Sequence, residues 1–451
     1  MSTRSRLIGF LLTAFAGAGA ARAQLAGNGT ILPGVQGLRL QSVSVFGGYF
    51  TGGSPFAGQL PVTGALPRED MFGGSLAIAW STERERSSLS VLYMPSIIGS
   101  TQMSSLNSVN HRLLVRASKT WNKWSLSLMA GGMTTVVQQQ LFGTTPAGAI
   151  TASGSSFDEF AAAALAGKSN AEIAALLTGA QLSAPPESSI FYGRRILTTR
   201  ASAALSWAHS TRTSLSIEVS GLRNQHLNDS VIAGSTSSNP FLVPRTTEAN
   251  VMISWNYSLT PRTNLSVDGG MSRIFSPLQA GYTTRTTVSI GRTMSRRWFL
   301  KGDAGVGVIT YLRDQVVLPR RVQEVYGGNV GFKAAAHAFM GGYTRSAGDS
   351  YGLGSAATSG VVGAWTWRRP GASWESTVDA AYEQLSNTVY PKVKTWRAAV
   401  GISRMIGAHF AVSGNYGYYN VPRHLFAGVT GDHLGQQGVM LSLTWTPGFR
   451  P

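Results

Sequence analysis

Apolar and polar residues alternate along most of this chain with a period of two, and short turns break the alternation at intervals. In NVMISWNYSLTPRTNLSVD, Val251, Ile253, Trp255 and Tyr257 occupy one set of positions, and Asn250, Ser254 and Asn256 the other. Beyond Thr260-Pro261-Arg262-Thr263 the apolar set resumes at Leu265 and Val267, opposite Asn264, Ser266 and Asp268. Successive side chains of an extended strand point to opposite faces, so this stretch is predicted to be a hairpin with one apolar and one polar face. Proline at the second turn position presets φ for a tight type I turn. Two environments suit the apolar face: the core of a sandwich, and lipid.

The unit recurs. Trp80–Tyr93, Lys119–Ala130, Ala208–Ser220, Arg292–Asp303, Trp365–Tyr382 and Ile402–Tyr419 each read as strand, short turn carrying Arg or Lys, strand. Longer stretches rich in Gly, Ser, Pro and Asn separate these units, at Thr51–Asp70, Pro95–Asn107, Met133–Arg194, Leu222–Thr246, Arg313–Val322 and Val421–Gln436. A sandwich has no reason to alternate short turns with long loops. A transmembrane antiparallel β-barrel does, with short turns at its periplasmic end and long loops outside. The units add up to about 18 strands, with about 16 as the alternative, because Leu38–Phe50 and Val325–Met340 divide less cleanly; bacterial barrels are even-numbered. The fold class is therefore all-β, a closed barrel spanning residues 38–451. The final strand Gly438–Trp445 puts Val439, Leu441, Leu443 and Trp445 on one face and is expected to pair with the first strand near Leu38–Phe50. Closure is a necessity in lipid, where every backbone N–H and C=O must find a partner within the protein.

The ends and the composition fit that reading. Arg4 and Arg6 precede the apolar run Leu7–Phe15, and Ala21-Arg22-Ala23 has the form of a cleavage site, so residues 1–23 are predicted to be a secretory signal. The run is shorter than the roughly 20 residues of a membrane-spanning helix. Residues 24–37 are expected to be a short periplasmic segment. There are no cysteines, so backbone pairing and burial must hold the exported chain together. Charged residues make up 13%, about half the proportion of an ordinary soluble domain. Trp80, Trp124, Trp207, Trp255, Trp298, Trp365, Trp367 and Trp445 sit at or near strand ends, mostly beside short turns. An interfacial aromatic belt places them there. Lipid is thus the expected environment of the apolar face, and the other face lines a lumen.

The formal charge of +18 raises the question of where the cations go. By strand phase, the inward basic candidates are Arg112, Arg116, Arg200, Arg285, Lys301, Lys333 and Arg397. The inward acidic candidates are Glu218, Asp268, Asp303, Glu375, Asp379 and Glu383. These nearly balance. Much of the surplus falls in the short turns, at Arg84, Arg86, Lys119, Lys123, Arg212, Arg262, Arg292, Arg296, Arg297, Arg368, Arg369 and Arg404. A basic rim suits phospholipid phosphates, with an anionic substrate or periplasmic partner as the alternative. Inside, the candidates segregate along the chain, with Glu375, Asp379 and Glu383 striping one late strand. Opposed stripes imply a transverse field across a polar, water-filled lumen; a ladder of ion pairs between neighbouring strands is the other arrangement that fits.

One segment departs from the pattern. SSFDEFAAAALAG and SNAEIAALLTG, within about 155–180, have helical periodicity. Ser156 with Glu159 and Ser169 with Glu172 have capping-box spacing, and Gly167 and Gly179 serve as stops. Phe157, Phe160, Ile173 and Leu176 give this hairpin an apolar face, so it is expected either to constrict the lumen or to cover the outer mouth.

Other chemistries find little footing. The seven histidines lack zinc-binding spacing, and no phosphate-cradling glycine loop or nucleophile elbow occurs. The one passable cluster is His226 near Asp229 and Ser230. No enzymatic activity, metal or cofactor is expected, nor any nucleic-acid partner. Residues 24–37 leave no room for a plug domain, and no passenger domain is evident.

The signal, the alternating hairpins and the final GVMLSLTW strand together resemble bacterial outer-membrane β-barrel proteins of the porin type. TPGFRP follows Trp445, whereas the terminal aromatic of that family usually ends the chain. The resemblance implies a pore for passive diffusion or export of polar or charged solutes. It also implies contact with outer-membrane lipids and lipopolysaccharide, handling by the barrel-assembly machinery, and the option of a homo-oligomer. A narrower resemblance, to barrels encoded with exopolysaccharide-export systems, implies a periplasmic export partner instead. A non-conducting structural or adhesion barrel is the third option.

Overall fold

The computed structural model describes residues 36–51, 68–101, 107–136, 195–227, 245–275, 280–311, 322–349, 355–368, 373–387, 393–407, 409–422 and 433–447. All the regular structure among them is β. The strands are β1 Gly37–Thr51, β2 Arg68–Arg84, β3 Ser87–Ser100, β4 Ser108–Trp121, β5 Trp124–Val136, β6 Arg195–Ala208, β7 Thr213–His226, β8 Thr246–Thr260 and β9 Thr263–Phe275. The second half comprises β10 Ala280–Thr293, β11 Trp298–Tyr311, β12 Val322–Ala334, β13 His337–Asp349, β14 Ser355–Trp367, β15 Trp374–Asn387, β16 Val393–Ile406, β17 Phe410–Pro422 and β18 His433–Trp445. Each strand pairs antiparallel with its sequence neighbours, and β1 pairs with β18 from Val43↔Trp445 to Thr51↔Gln437. The sheet therefore has no edge.

Eighteen strands settle the count left open between 18 and 16. Val325–Met340 divides at Ala335-Ala336, a two-residue turn that carries none of the usual turn residues. Ala335 adopts φ 46° there, and Asn122 adopts the same value in the β4–β5 turn. Asparagine tolerates this left-handed region, whereas alanine enters it at a cost of about 1–2 kcal/mol. Leu38–Phe50, by contrast, is a single strand. A bulge between Leu40 and Ser42 shifts its register against β2. The expected loop from Pro95 begins too early. Pro95 lies inside β3 opposite His111, and the β2–β3 pairing lapses beside it, where proline offers no N–H.

One phase of the barrel wall is apolar and faces outward. Val251, Ile253 and Trp255 are exposed, as are Val288, Ile290, Leu300, Val306, Leu441 and Trp445 on other strands. The cross-strand register carries this phase unbroken around the ring. Trp124 pairs with Trp207, Trp207 with Leu215, Leu215 with Trp255, and Trp255 with Val267. All eleven tryptophans of the chain occupy outward positions, and all but Trp396 lie near the short-turn end. Several neighbours stack: Trp124 on Trp207 at 5.8 Å, Trp298 against Phe332 at 4.4 Å, and His337 on Trp365 at 5.8 Å. Trp365 also donates its indole N–H to His337 Nδ1 at 3.2 Å.

The inward phase is not uniformly polar, which corrects the expectation of a fully wet face. Phe46, Met71, Ile98 and Met440 form a buried apolar cluster across β18, β1, β2 and β3. Ala77, Ala79, Leu92 and Leu114 form a second across β2 to β4, with Met94 and Met129 packed against it. Elsewhere the inner wall is knitted by hydroxyl pairs between adjacent strands, Ser44 with Ser75 at 2.6 Å, Ser413 with Ser442 at 2.7 Å, and Ser266 with Ser289. The signal segment 1–23 and the helical hairpin of 155–180 lie outside the described residues.

Candidate functional site: the charged lumen wall

The inward charge candidates fall on strands spread around the ring: Arg112 and Arg116 on β4, Arg200 on β6, Glu218 on β7, Asp268 on β9 and Arg285 on β10. Lys301 and Asp303 follow on β11, Lys333 on β12, Glu375, Asp379 and Glu383 on β15, and Arg397 on β16. Every one occupies a register position of the phase opposite the tryptophans. The structure gathers ten of them into three groups; Glu218 and Lys333 fall outside these, and Arg397 pairs in register with Ala381, between Asp379 and Glu383.

The first group is basic. Arg112, Arg116 and Arg200 lie on β4 and β6, with β5 between them. Gly131 of β5 pairs with Leu114 on one side and with Arg200 on the other. Leu114 leans over Gly131, whose missing Cβ would stand 3.3 Å from Leu114 Cδ1.

The second group is mixed. Asp303 lies within electrostatic reach of Lys301, Asp268 and Arg285. Lys301 is buried at 1% exposure and pairs in register with Asn329, which is equally buried. Asp268 is paired with Ser254 and is buried too. Arg285 Nη2 approaches Met252 Sδ at 3.6 Å. Opposite charges on neighbouring strands at this depth compensate one another, so this wall is close to neutral.

The third group is acidic. Glu375, Asp379 and Glu383 recur every fourth residue on β15, and Asp379 is buried at 8% exposure. Glu375 meets Arg368 at 4.0 Å, which ties the short-turn end of the stripe to the rim. The acidic strand β15 and the strand of Arg200, β6, are nine positions apart in either direction around the 18-membered ring. They face each other across the lumen.

Phe157, Phe160, Ile173 and Leu176 lie outside the described residues, as do Asp229 and Ser230. Sequence reasoning missed the inner apolar clusters and the outward pair of Arg345 with Glu324 at 3.9 Å, where Arg345 also lies 5.7 Å from the Tyr326 ring centre. Phase alone held the signal for the clusters: Leu92, Leu114 and Met440 sit at inward positions of strands whose outward positions are also apolar.

A closed antiparallel barrel with an apolar, tryptophan-girdled outside and charged groups inside is a transmembrane β-barrel of the outer-membrane type. Among solved structures, the chain is similar to the Pseudomonas aeruginosa proteins OccK2 (OpdF), at 8% identity and a TM-score of 0.46, and OccK5 (OpdH), at 8% and 0.44; the matches cover 91% of this chain and 100% and 98% of those chains. It is also similar to Acinetobacter baumannii OccAB4, at 11% identity and a TM-score of 0.44 over 92% of this chain and 99% of that one. No family model and no curated protein matches the chain. At such identities the likeness concerns architecture, and the functional argument rests on the wall itself.

Proposed function

We propose that this protein is an outer-membrane pore for passive diffusion of small polar or charged solutes. The observation that carries the reading is the opposition of two charged walls, Arg200 with Arg112 and Arg116 on one side and the β15 carboxylates on the other, inside a barrel with no edge. A permeant ion within a screening length of about 8 Å of either wall feels its charge, so the walls sort solutes by charge. The exopolysaccharide-export reading has no support from the comparisons. The lipid-facing side is expected to contact outer-membrane lipids, with the basic rim taking phosphates of the periplasmic leaflet.

Planar-bilayer recording with the purified, folded protein tests the proposal. Stepwise conductance in potassium chloride is the expected result. A barrel that inserts and conducts nothing supports the structural or adhesive alternative and overturns the pore.

A further inference from the structure

We propose that Arg223 and Arg273, on the lipid-facing side of the wall, hold the phosphorylated headgroup of lipopolysaccharide in the outer leaflet. The proposal rests on the outer-membrane placement of the barrel, and not on its conducting.

The register sets the level of the two residues. Arg223 of β7 pairs with Thr199 of β6 and with Thr247 of β8, and Thr247 pairs with Phe275 of β9. This row shares the phase of the tryptophans, so it faces outward. Eight residues separate Thr199 from Trp207 on β6, and Thr247 from Trp255 on β8. At about 3.4 Å per residue and a strand tilt of about 40°, the row stands roughly 20 Å from the tryptophan girdle along the barrel axis. The apolar band of such barrels is about 25 Å tall, so the row lies at the opposite interface, at the long-loop end. In a bacterial outer membrane that leaflet is built from lipopolysaccharide.

Arg273 sits one outward step nearer the girdle, in register with Ala249 and Tyr282. Its guanidinium carbon lies 4.4 Å from the ring centre of Phe275, which belongs to the row of Arg223. Arg273 thus turns away from the apolar band and carries its charge to the level of Arg223. Both arginines are exposed, and Arg245, exposed just before β8, adds a third cation at this end. β7 and β9 are two strand spacings apart, roughly 10 Å, a gap that two long side chains close onto one phosphorylated sugar headgroup.

Nothing in the wall neutralises these charges. No outward position of β6 to β10 carries a carboxylate; Glu218, Glu248 and Asp268 all take the inward phase. Neither arginine forms an ion pair among the described residues. Arg345, near the same end of β13, is different, because Glu324 meets it at 3.9 Å. A guanidinium fork fits phosphate oxygens through paired hydrogen bonds.

The next row toward the girdle favours a lipid with several chains. Ala201 pairs with Gly221, and Gly221 with Ala249, so three small residues in register leave a shallow trough beneath the arginines. Thr199 and Thr247 flank Arg223 and offer hydroxyls to a sugar. A headgroup with two phosphates uses both cations at once, whereas a phospholipid with one phosphate engages one arginine at a time.

Native mass spectrometry of the full-length folded protein in detergent, titrated with bisphosphorylated lipid A, reads the site whether or not the barrel conducts. A barrel that binds lipid A and conducts nothing overturns the pore alone. Saturable lipid A binding is expected, with dephosphorylated lipid A and phosphatidylglycerol much weaker; this comparison uses the unaltered protein and stands whatever the variants do. Arg223→Gln with Arg273→Gln should weaken lipid A by about tenfold or more, the scale of one lost charge-assisted hydrogen bond. Arg223→Lys with Arg273→Lys, which keeps the charge but loses the fork, should weaken it less. Lys394→Gln, which removes a lone outward cation in register with Gln384 elsewhere on the ring, should leave it unchanged. Circular dichroism on each variant confirms that the barrel is intact. No lipid A binding, equal binding of phosphatidylglycerol, an equal loss from Lys394→Gln, or indifference to the arginine substitutions in a folded barrel overturns the proposal.

Discussion

The guanidinium carbon of Arg404 lies 4.7 Å from the ring centre of Trp374. The two residues face each other in register on β16 and β15, at the short-turn end and on the outward face. The indole is half-exposed, so the pair combines a ring suited to the membrane interface with a cation at phosphate level. Arg404→Gln should therefore lower stability by roughly 1 kcal/mol in bilayers containing anionic phospholipid. Urea unfolding in phosphatidylglycerol and phosphatidylcholine vesicles checks this. An equal loss in both lipids would reduce the contact to the ring–cation pair alone.

Ile253 and Ser254 are adjacent and point in opposite directions; Ile253 is 48% exposed on the outside, and Ser254 is 7% exposed on the inside beside Asp268. Ile253→Arg should cost about 2–4 kcal/mol near the bilayer midplane. Ser254→Arg should be milder, because Asp268 stands directly across the strand pair to receive the charge. Equilibrium unfolding of the two variants in lipid vesicles gives the comparison, and equal damage would contradict the phase.

Gly331 lies beneath the ring of Phe299, and any Cβ built on it would collide with that ring. Phe299 is almost fully buried on the inner wall. Gly331→Ala should destabilise the barrel by about 1–3 kcal/mol through overpacking, and Phe299→Leu in the same chain should recover part of the loss. Thermal or denaturant unfolding of the single and double variants measures the coupling.

Charge selectivity follows from the opposed walls. Asp379→Asn with Glu375→Gln should move the reversal potential in a salt gradient toward anions, and Arg200→Gln toward cations. Asp303→Asn should also move it toward anions, because it leaves Lys301 and Arg285 with only Asp268 to compensate them. Single-channel recording resolves all three, and a selectivity untouched by the first two would remove the walls from the permeation path.

What the sequence determined by itself is the phase. Period-two alternation fixes which residues share a face, because a one-residue slip would move every side chain to the other side of the wall. Ile253 and Trp255 outside, with Asp268 and Asp379 inside, were legible for that reason, as were the short basic turns and the pairing of β18 with β1. The strand count was not legible at Ala335-Ala336, where the turn is held by neighbouring strands rather than by turn residues. The neighbours across the lumen and around each charge were out of reach altogether. Which cation stands beside which carboxylate depends on register and on ring closure, and these bring together residues far apart in the chain. Closure set the strand of Arg200 opposite that of Asp379, compensated Asp303 with Lys301 and Arg285, and left Arg112 and Arg116 on an apolar wall with no carboxylate among the described residues beside them. The inner apolar clusters were hidden for the same physical reason. A strand with apolar residues in both phases gives no periodic signal, and only the fold shows that Leu92, Leu114 and Met129 meet one another across the strands rather than meeting lipid.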